Sequence, residues 1–492
     1  MRGFGFIPDW NKSPSRIHEE AYFPVSLSGT HRAATFSETL SGILGADPQH
    51  SSKDFEEAFK SHPDIAGDET IQKELWRAFS SAYATSSEGG VRSKHAEAGD
   101  YITPFHRKIA ATQKIEQSRN WERLYWLLMT RSGGNVDRDL HDNLVDALEE
   151  MDASNLLERL VIEAIDEFEG EVTASDSTTS ETIEYNPIEP LITECSEAFR
   201  ADLDAWLGVR DDESTARWMR GLQDLLCFHY VMYVIQAALG LHYEYQHLSN
   251  GEDPQKYEFE LQPIYFGLTS ETASQSRKFR NEWKEGEISR ALYDSWGRLV
   301  VQRHLVEIGL DKETPVNNRP YTLTEALETF PPELQRRAGN QIIAEFKDED
   351  LEKHFPDDPM EEYDLDDVAV RFSHAVRRYY ENMAKTKNSQ TAYSAGENSV
   401  LDLARGTERQ FLQSRSGVGT ISVLDRAGLR LFAQLFDNQT DRGHIDEFWV
   451  YMQDRGINFD ERTEQALIEQ LDGMGLLQRQ SDSGEAMYVQ TV

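Results

Sequence analysis

The sequence predicts a mainly α-helical protein: multi-helical N-terminal and central regions followed by a C-terminal winged-helix domain. Three observations predict it. Apolar residues recur at helical spacing through most of the chain, as in NWERLYWLLMT (120–130), where Trp121, Leu124, Tyr125 and Leu128 share a face. Runs with strand-like alternation are scarce. The last 73 residues, 420–492, read as three short amphipathic helices and a terminal hairpin.

Residues 1–180 form a helical N-terminal region, continued by NLVDALEEM and NLLERLVIEAIDEF. The polar, glycine-bearing stretch 86–100 reads as a loop, and 170–190 has the composition of a linker. Residues 190–383 read as a central helical bundle with aromatic-rich faces: RWMRGLQDLLCFHYVMYVIQAALGL, RALYDSWGRLVVQRHLVEIGL, TLTEALETF and AVRFSHAVRRYYENM. Residues 385–399 are a second linker, and 400–492 carry a linker helix and the winged-helix domain. In that domain VLDRAGLRLFAQLF fits one helix, with Leu424, Leu431 and Leu435 on a shared face. HIDEFWVYMQDRG fits a second, closed by Gly456. INFDERTEQALIEQLDG fits a third, with Asp460 as N-cap and Thr463, Leu467, Leu471 and Met474 as its buried stripe. QRQSDSGEAMYV then makes a hairpin with Ser-Asp-Ser-Gly as its turn.

The chain has 492 residues, enough for two to four domains, and a formal net charge of −37 from 87 acidic and 50 basic residues. Only 15 of the basic residues are lysines. Acidity spread along the whole chain, with little lysine, favours a protein built for molar salt; an acidic mesophilic protein that avoids DNA is the rival reading. In molar salt the Debye length falls to about 3 Å, so surface repulsion of DNA is screened. Cys195 and Cys227 belong to no CxxC pair and read as reduced core residues. The most apolar stretch, 225–241, is 17 residues long and contains His229 and Gln236. A membrane span needs about 20 apolar residues, so this stretch reads as the central buried helix of a bundle. The N-terminus shows no apolar run of the signal-peptide kind, and a cytoplasmic location with no membrane contact is expected.

No GxxxxGK[ST], GxGxxG after a strand, HExxH or GxSxG occurs. HYEYQH (242–247) offers two imidazoles and Glu244, but positions i and i+5 lie about 140° apart on a helix. These side chains read as solvated helix-end residues, and no metal or other cofactor is expected. Glu-x-Lys matches at Glu282 and Glu345 lie in helix-like sequence without an upstream strand carrying an aspartate. A cryptic metal-dependent nuclease is therefore a minor alternative, and the expected role is non-enzymatic.

Charge distribution singles out two basic segments. Arg371, Arg377, Arg378, Lys385, Lys387, Arg405, Arg409 and Arg415 stand against four carboxylates, a local charge of about +4. Arg277, Lys278, Arg280 and Lys284 form a smaller knot. Guanidinium pairs two donors with phosphate or carboxylate, so these residues suit a contact to DNA backbone or to an acidic partner. Neutralisation of the chain's own acidic helices explains them equally well. The third helix of the C-terminal domain carries one arginine against five carboxylates in DERTEQALIEQLD. A base-reading helix presents Arg, Lys, Asn or Gln. This one suits protein docking or internal packing, and a winged-helix transcriptional regulator, reading DNA through Arg462 or Arg479, is the lesser reading.

The C-terminal residues Arg455, Gly456, Ile457, Phe459 and Asp460, then Leu476, Leu477, Ser481, Asp482, Ser483, Gly484, Ala486, Tyr488 and Val489, make a recognisable series. It resembles the end of the DptG family of DNA phosphorothioation-dependent restriction proteins, where an RG(I/V)-x-(F/L)D turn precedes a helix and an SDSG-A-YV ending closes the chain. The internal segment 263–283, with Phe266, Leu268, Ser274, Arg277 and Trp283, is similar to a family segment. The tryptophan expected near Thr269 is absent. The specific part of the likeness covers about a quarter of the chain. It implies a non-catalytic subunit of an anti-phage complex that acts on DNA lacking the phosphorothioate mark. Its implied partners are restriction subunits resembling P-loop ATPases or helicases, and the family brings no catalytic residues to carry over.

Overall fold

The structure, a computed structural model, describes residues 32–46, 48–65, 67–85, 101–114, 121–153, 155–166, 189–210, 213–268, 287–310, 321–346, 364–387, 400, 411–415, 419–440, 443–479 and 487–490. It is mainly helical, and among the described residues the strands occur in pairs. The expected loop at 86–100, most of both linkers, and the Ser-Asp-Ser-Gly turn lie outside the described residues.

The first group comprises α1 (Arg32–Ile43), α2 (Ser52–Ser61), α3 (Glu69–Tyr83), the strand pair β1 (Ala84–Thr85) and β2 (Tyr101–Ile102), then α4 (Arg107–Thr112), α5 (Glu122–Leu128), α6 (Arg138–Glu149) and α7 (Leu156–Ile165). Helices α2, α3, α4 and α7 enclose a small core around Phe55, Phe59, Phe79 and Phe105. Helices α1, α5 and α6 instead turn their apolar faces to the main core.

Two helices build that core. α8 (Thr193–Gly208) and α9 (Thr215–Ser249) cross with Trp206 Nε1 donating to the Trp218 carbonyl at 3.2 Å and Trp218 Nε1 to the Trp206 carbonyl at 3.1 Å. At 35 residues α9 is about 52 Å long. Its length and hydropathy would suit a membrane span, yet its most apolar window is entirely buried inside the protein. Both polar residues noted in that window have partners. Gln236 donates to the Gln262 carbonyl at 2.7 Å and accepts from the Gln262 N–H at 2.8 Å. His229 meets Asp202 at 3.0 Å. The far end of α9 joins α10 (Glu287–Leu310), α11 (Leu323–Thr329), α12 (Pro332–Phe346) and α13 (Leu365–Lys387) around a second core. α10 and α13 approach closely at Gly297, where a Cβ would lie 2.7 Å from Ser373 Cα.

The C-terminal group follows: β4 (Leu412–Arg415), β5 (Gly419–Ser422), α14 (Arg426–Thr440), α15 (Ile445–Gln453), β6 (Ile457–Asn458), α16 (Glu461–Gly473), β7 (Leu477–Arg479) and β8 (Met487–Val489). Three helices form where apolar spacing predicts them, but they start later: Leu424 precedes α14 instead of lying on its face, and Ile457 and Asn458, read as part of the third helix, form β6. Asp460 caps α16 by accepting from the Thr463 N–H at 2.8 Å, and Thr463, Leu467 and Leu471 are buried. β7 and β8 pair antiparallel, Leu477 opposite Val489. Two pairings were not anticipated: the β4–β5 hairpin, and β6 running parallel to β3 (Ile264–Tyr265). The Ile264 N–H donates to the Gly456 carbonyl at 2.8 Å and the Phe266 N–H to the Asn458 carbonyl at 2.9 Å. Through these contacts the C-terminal helices share one apolar core with α8 and α9.

At that junction lies a buried polar knot. Asp202 on α8 is fully buried and accepts from Arg455 Nε at 2.8 Å, from Arg455 Nη2, from Tyr451 Oη at 2.9 Å and from Gln439 Nε2 at 3.0 Å. A carboxylate only accepts here, so His229 holds its proton on Nε2 and donates. Burial alone would raise the Asp202 carboxyl; Arg455 and the His229 bond outweigh it and hold the group well below the usual carboxylate range.

Arg455→Met should lower unfolding free energy by about 3–5 kcal/mol, because it strands Asp202 as a buried charge. In the unmutated protein the pair's stabilisation is complete above about pH 4, the unfolded aspartate value, and fades as pH falls toward the depressed folded value. Gly456, at φ +74°, has Gln236 Nε2 only 2.8 Å from where a Cβ would sit. Gly456→Ala should cost about 2–4 kcal/mol from backbone strain and crowding. Guanidinium chloride unfolding of both variants checks these values.

Candidate functional site

The second core opens at a recess of about 150 Å³ where α9, α10 and α13 meet. Helical spacing makes the wall. α10 supplies Arg290, Asp294 and Arg298 at four-residue intervals, which stack on one face. α9 supplies His242, Tyr245 and Gln246, and α13 supplies His374 and Arg377. Floor and rim differ in burial. Arg298, Asp294 and His242 are 5%, 3% and 5% exposed, whereas Arg290, Gln246 and His374 are exposed.

The floor is tightly coupled. Arg298 Nη2 lies 2.7 Å from His242 Nδ1 and 3.3 Å from Asp294 Oδ2. Arg377 Nη1 reaches the same Asp294 oxygen at 3.5 Å. A guanidinium has only donors, so His242 Nδ1 accepts and the imidazole proton sits on Nε2. Gln246 Nε2 is placed 2.6 Å from that Nε2; the amide must present its oxygen there to accept the proton. Burial, with Arg298 and Arg377 next in effect, pushes the His242 pKa down to about 3, so the ring is neutral near pH 7. The Arg298 guanidinium also stands 5.3 Å above the Tyr245 ring. Its Nε and Nη1, and Asp294 Oδ1, have no hydrogen-bond partner among the described residues. Three guanidiniums against one carboxylate leave the recess at +2 (3 − 1) in a chain of −37. Chemically, that is a place for an anion.

Of the basic residues singled out in the sequence, Arg377 enters this recess. Arg371 and Arg378 lie on another face of α13, half-buried and exposed respectively. Lys385 and Lys387 belong to the last turn of α13, and Arg415 ends β4. Arg405 and Arg409, and the knot Arg277, Lys278, Arg280 and Lys284, lie outside the described residues, as does Glu282. Glu345 sits in the last turn of α12, a helix as its sequence implied. Arg290, Arg298, Asp294 and His242 were not anticipated as site residues. The signal was the Arg-x₃-Asp-x₃-Arg spacing at 290, 294 and 298.

The HYEYQH segment requires a correction. It is solvated only at its end: His242 and Glu244 are buried, because α11 and α13 cover this part of α9, whereas Gln246 is exposed and His247 half-buried. Glu244 Oε1 accepts from the Thr324 N–H and hydroxyl, both at 2.8 Å, and so anchors the start of α11. Elsewhere, ligand atoms of His62, Asp64 and Glu163 come within 4.8 Å of one another. His62 Nε2 lies 3.3 Å from a Glu163 carboxylate oxygen, and both carboxylates are exposed. No family model matches the chain, and no curated protein matches it.

Burial pushes the Glu244 carboxyl up to about 7. The folded protein then binds this proton more tightly than the unfolded chain. Its contribution is intact below the unfolded value and is lost as pH rises through about 7. Glu244→Gln keeps an acceptor for Thr324 and removes the charge. Guanidinium unfolding should show this variant close to the parent at about pH 4 and more stable by about 1–3 kcal/mol at about pH 8.

Proposed function

We propose that this chain is a non-catalytic subunit of a DNA phosphorothioation-dependent restriction complex. It acts on DNA lacking the mark, in the cytoplasm, beside subunits resembling P-loop ATPases or helicases. One observation carries this reading. The two stretches that resemble the family, far apart in sequence, touch in the fold: Ile264 pairs with Ile457 and Tyr265 with Asn458. The first two positions of the family-like turn also have specific work. Arg455 holds Asp202, and Gly456 adopts the positive φ that lets β6 meet β3. A resemblance by accident has no reason to select two segments that pack together.

On this reading α14, α15, α16 and the β7–β8 hairpin form a winged helix used for docking. Glu461, Glu469 and Asp472 lie exposed on α16, which favours a basic protein surface over a DNA groove. Contact with DNA falls instead to the basic residues of α13.

Tagged protein purified in molar KCl with the products of its neighbouring genes should carry a P-loop ATPase at fixed stoichiometry. The double variant Glu461→Arg, Glu469→Arg should release that partner while helical content by circular dichroism stays unchanged. Recovery of the chain alone, as a monomer, would overturn the proposal.

A further inference from the structure

We propose that the recess between α9, α10 and α13 binds one protonated phosphate group, hydrogenphosphate being the best match. Four observations lead there. Size comes first: about 150 Å³ is below the 300–1,000 Å³ typical of drug-sized ligands, and it suits a small oxyanion. Charge comes second. Among the lining residues, Arg290, Arg298 and Arg377 outnumber Asp294, an excess of positive charge that favours an anion, and His242 is neutral.

The third observation concerns donors. Arg298 is nine-tenths buried, and its Nε and Nη1 have no partner among the described residues. Leaving such donors unmet costs about 1–3 kcal/mol or more for a charged group, so they call for an acceptor. The guanidinium fork matches two oxygens of a tetrahedral anion. Asp294 supplies the fourth. Its Oδ2 is shared by Arg298 and Arg377, but Oδ1 accepts from no described group. A carboxylate oxygen needs a donor and repels a bare anion. Hydrogenphosphate carries an O–H that can donate to it, whereas sulfate at neutral pH carries none. The site therefore selects phosphate over sulfate by a proton. A buried floor also excludes the middle of a duplex strand, whose phosphates are diesters without a proton. A phosphate monoester at a nucleic-acid end is the other source of an O–H beside acceptor oxygens, as the protonated monoanion.

This proposal stands apart from the subunit reading, because it concerns binding by the isolated full chain. Calorimetry in constant molar KCl at neutral pH should give one phosphate per chain and at least about tenfold weaker binding of sulfate. Arg290→Gln lies on the exposed rim, so folding is spared, and it should weaken phosphate by about tenfold. Asp294→Asn should narrow the gap between phosphate and sulfate. A 5′-phosphorylated oligonucleotide that binds more tightly than free phosphate, while its 5′-hydroxyl counterpart does not bind, would assign the source to a strand end. Binding of free phosphate alone would assign it to the ion. Absence of both, or equal binding of sulfate and phosphate, would overturn the proposal, whatever co-purification shows.

Discussion

One helix that must be covered on every side determines this architecture. α9 is apolar around its whole circumference, so no single partner can satisfy it. Burying a large aliphatic or aromatic side chain is worth about 1.5–3 kcal/mol, and α9 has such residues on all faces. Cover comes from three directions. α8 and the helices α1 and α5 take one side, α14 and the β3–β6 junction another, and α10 and α13 enclose the far end. The C-terminal group is thus required by the same core that the central helices begin.

A wholly apolar core does not specify which of several covering segments sits where. Polar groups along α9 supply that information. His229 fixes Asp202 and with it Arg455; Gln236 fixes Gln262 and the strand after it; His242 fixes Arg298; Glu244 fixes the start of α11. Each has a partner on a different segment. A buried ion pair such as Asp202–Arg455 adds little net stability over apolar residues of equal volume, since desolvation offsets attraction. A wrong register, however, would leave its charge unpaired. These groups act as registers along the helix, at positions where a misplacement is costly.

Helices were legible in the sequence because their signal is local. The stripe of α16 and its Asp460 cap, the apolar face of α5 and the buried nature of α9 all follow from spacing within one turn or two. The β3–β6 pair was not legible. Each strand is two residues long and parallel, and neither alternates enough to announce itself. His242 and Glu244 misled for a related reason. Polar residues near a helix end look solvated until a distant segment covers them, and α11 and α13 lie more than seventy positions away. Arg377 was visible as part of a basic run, but its neighbours 371 and 378 face elsewhere, so the run does not act as one patch. The site instead takes one member of that run and two arginines from α10, whose four-residue rhythm was present in the sequence. Its meaning depended on what packed against it.

The recess also makes sense of a charge balance that otherwise looks contradictory. A chain of −37 offers an anion little attraction at its surface. If the protein works in molar salt, as its spread acidity and scarce lysine favour, surface fields fade within about 3 Å and exposed arginines lose most of their reach. A cation held below the surface is screened far less. Arg298 is in that position, close to Tyr245 and His242 and out of bulk solvent, while Asp294 prevents the full charge from being left uncompensated before a ligand arrives. Acidity outside and a few sunken guanidiniums inside are therefore compatible. In molar salt the first would keep the surface hydrated, and the second would keep one place where an oxyanion still meets a strong donor.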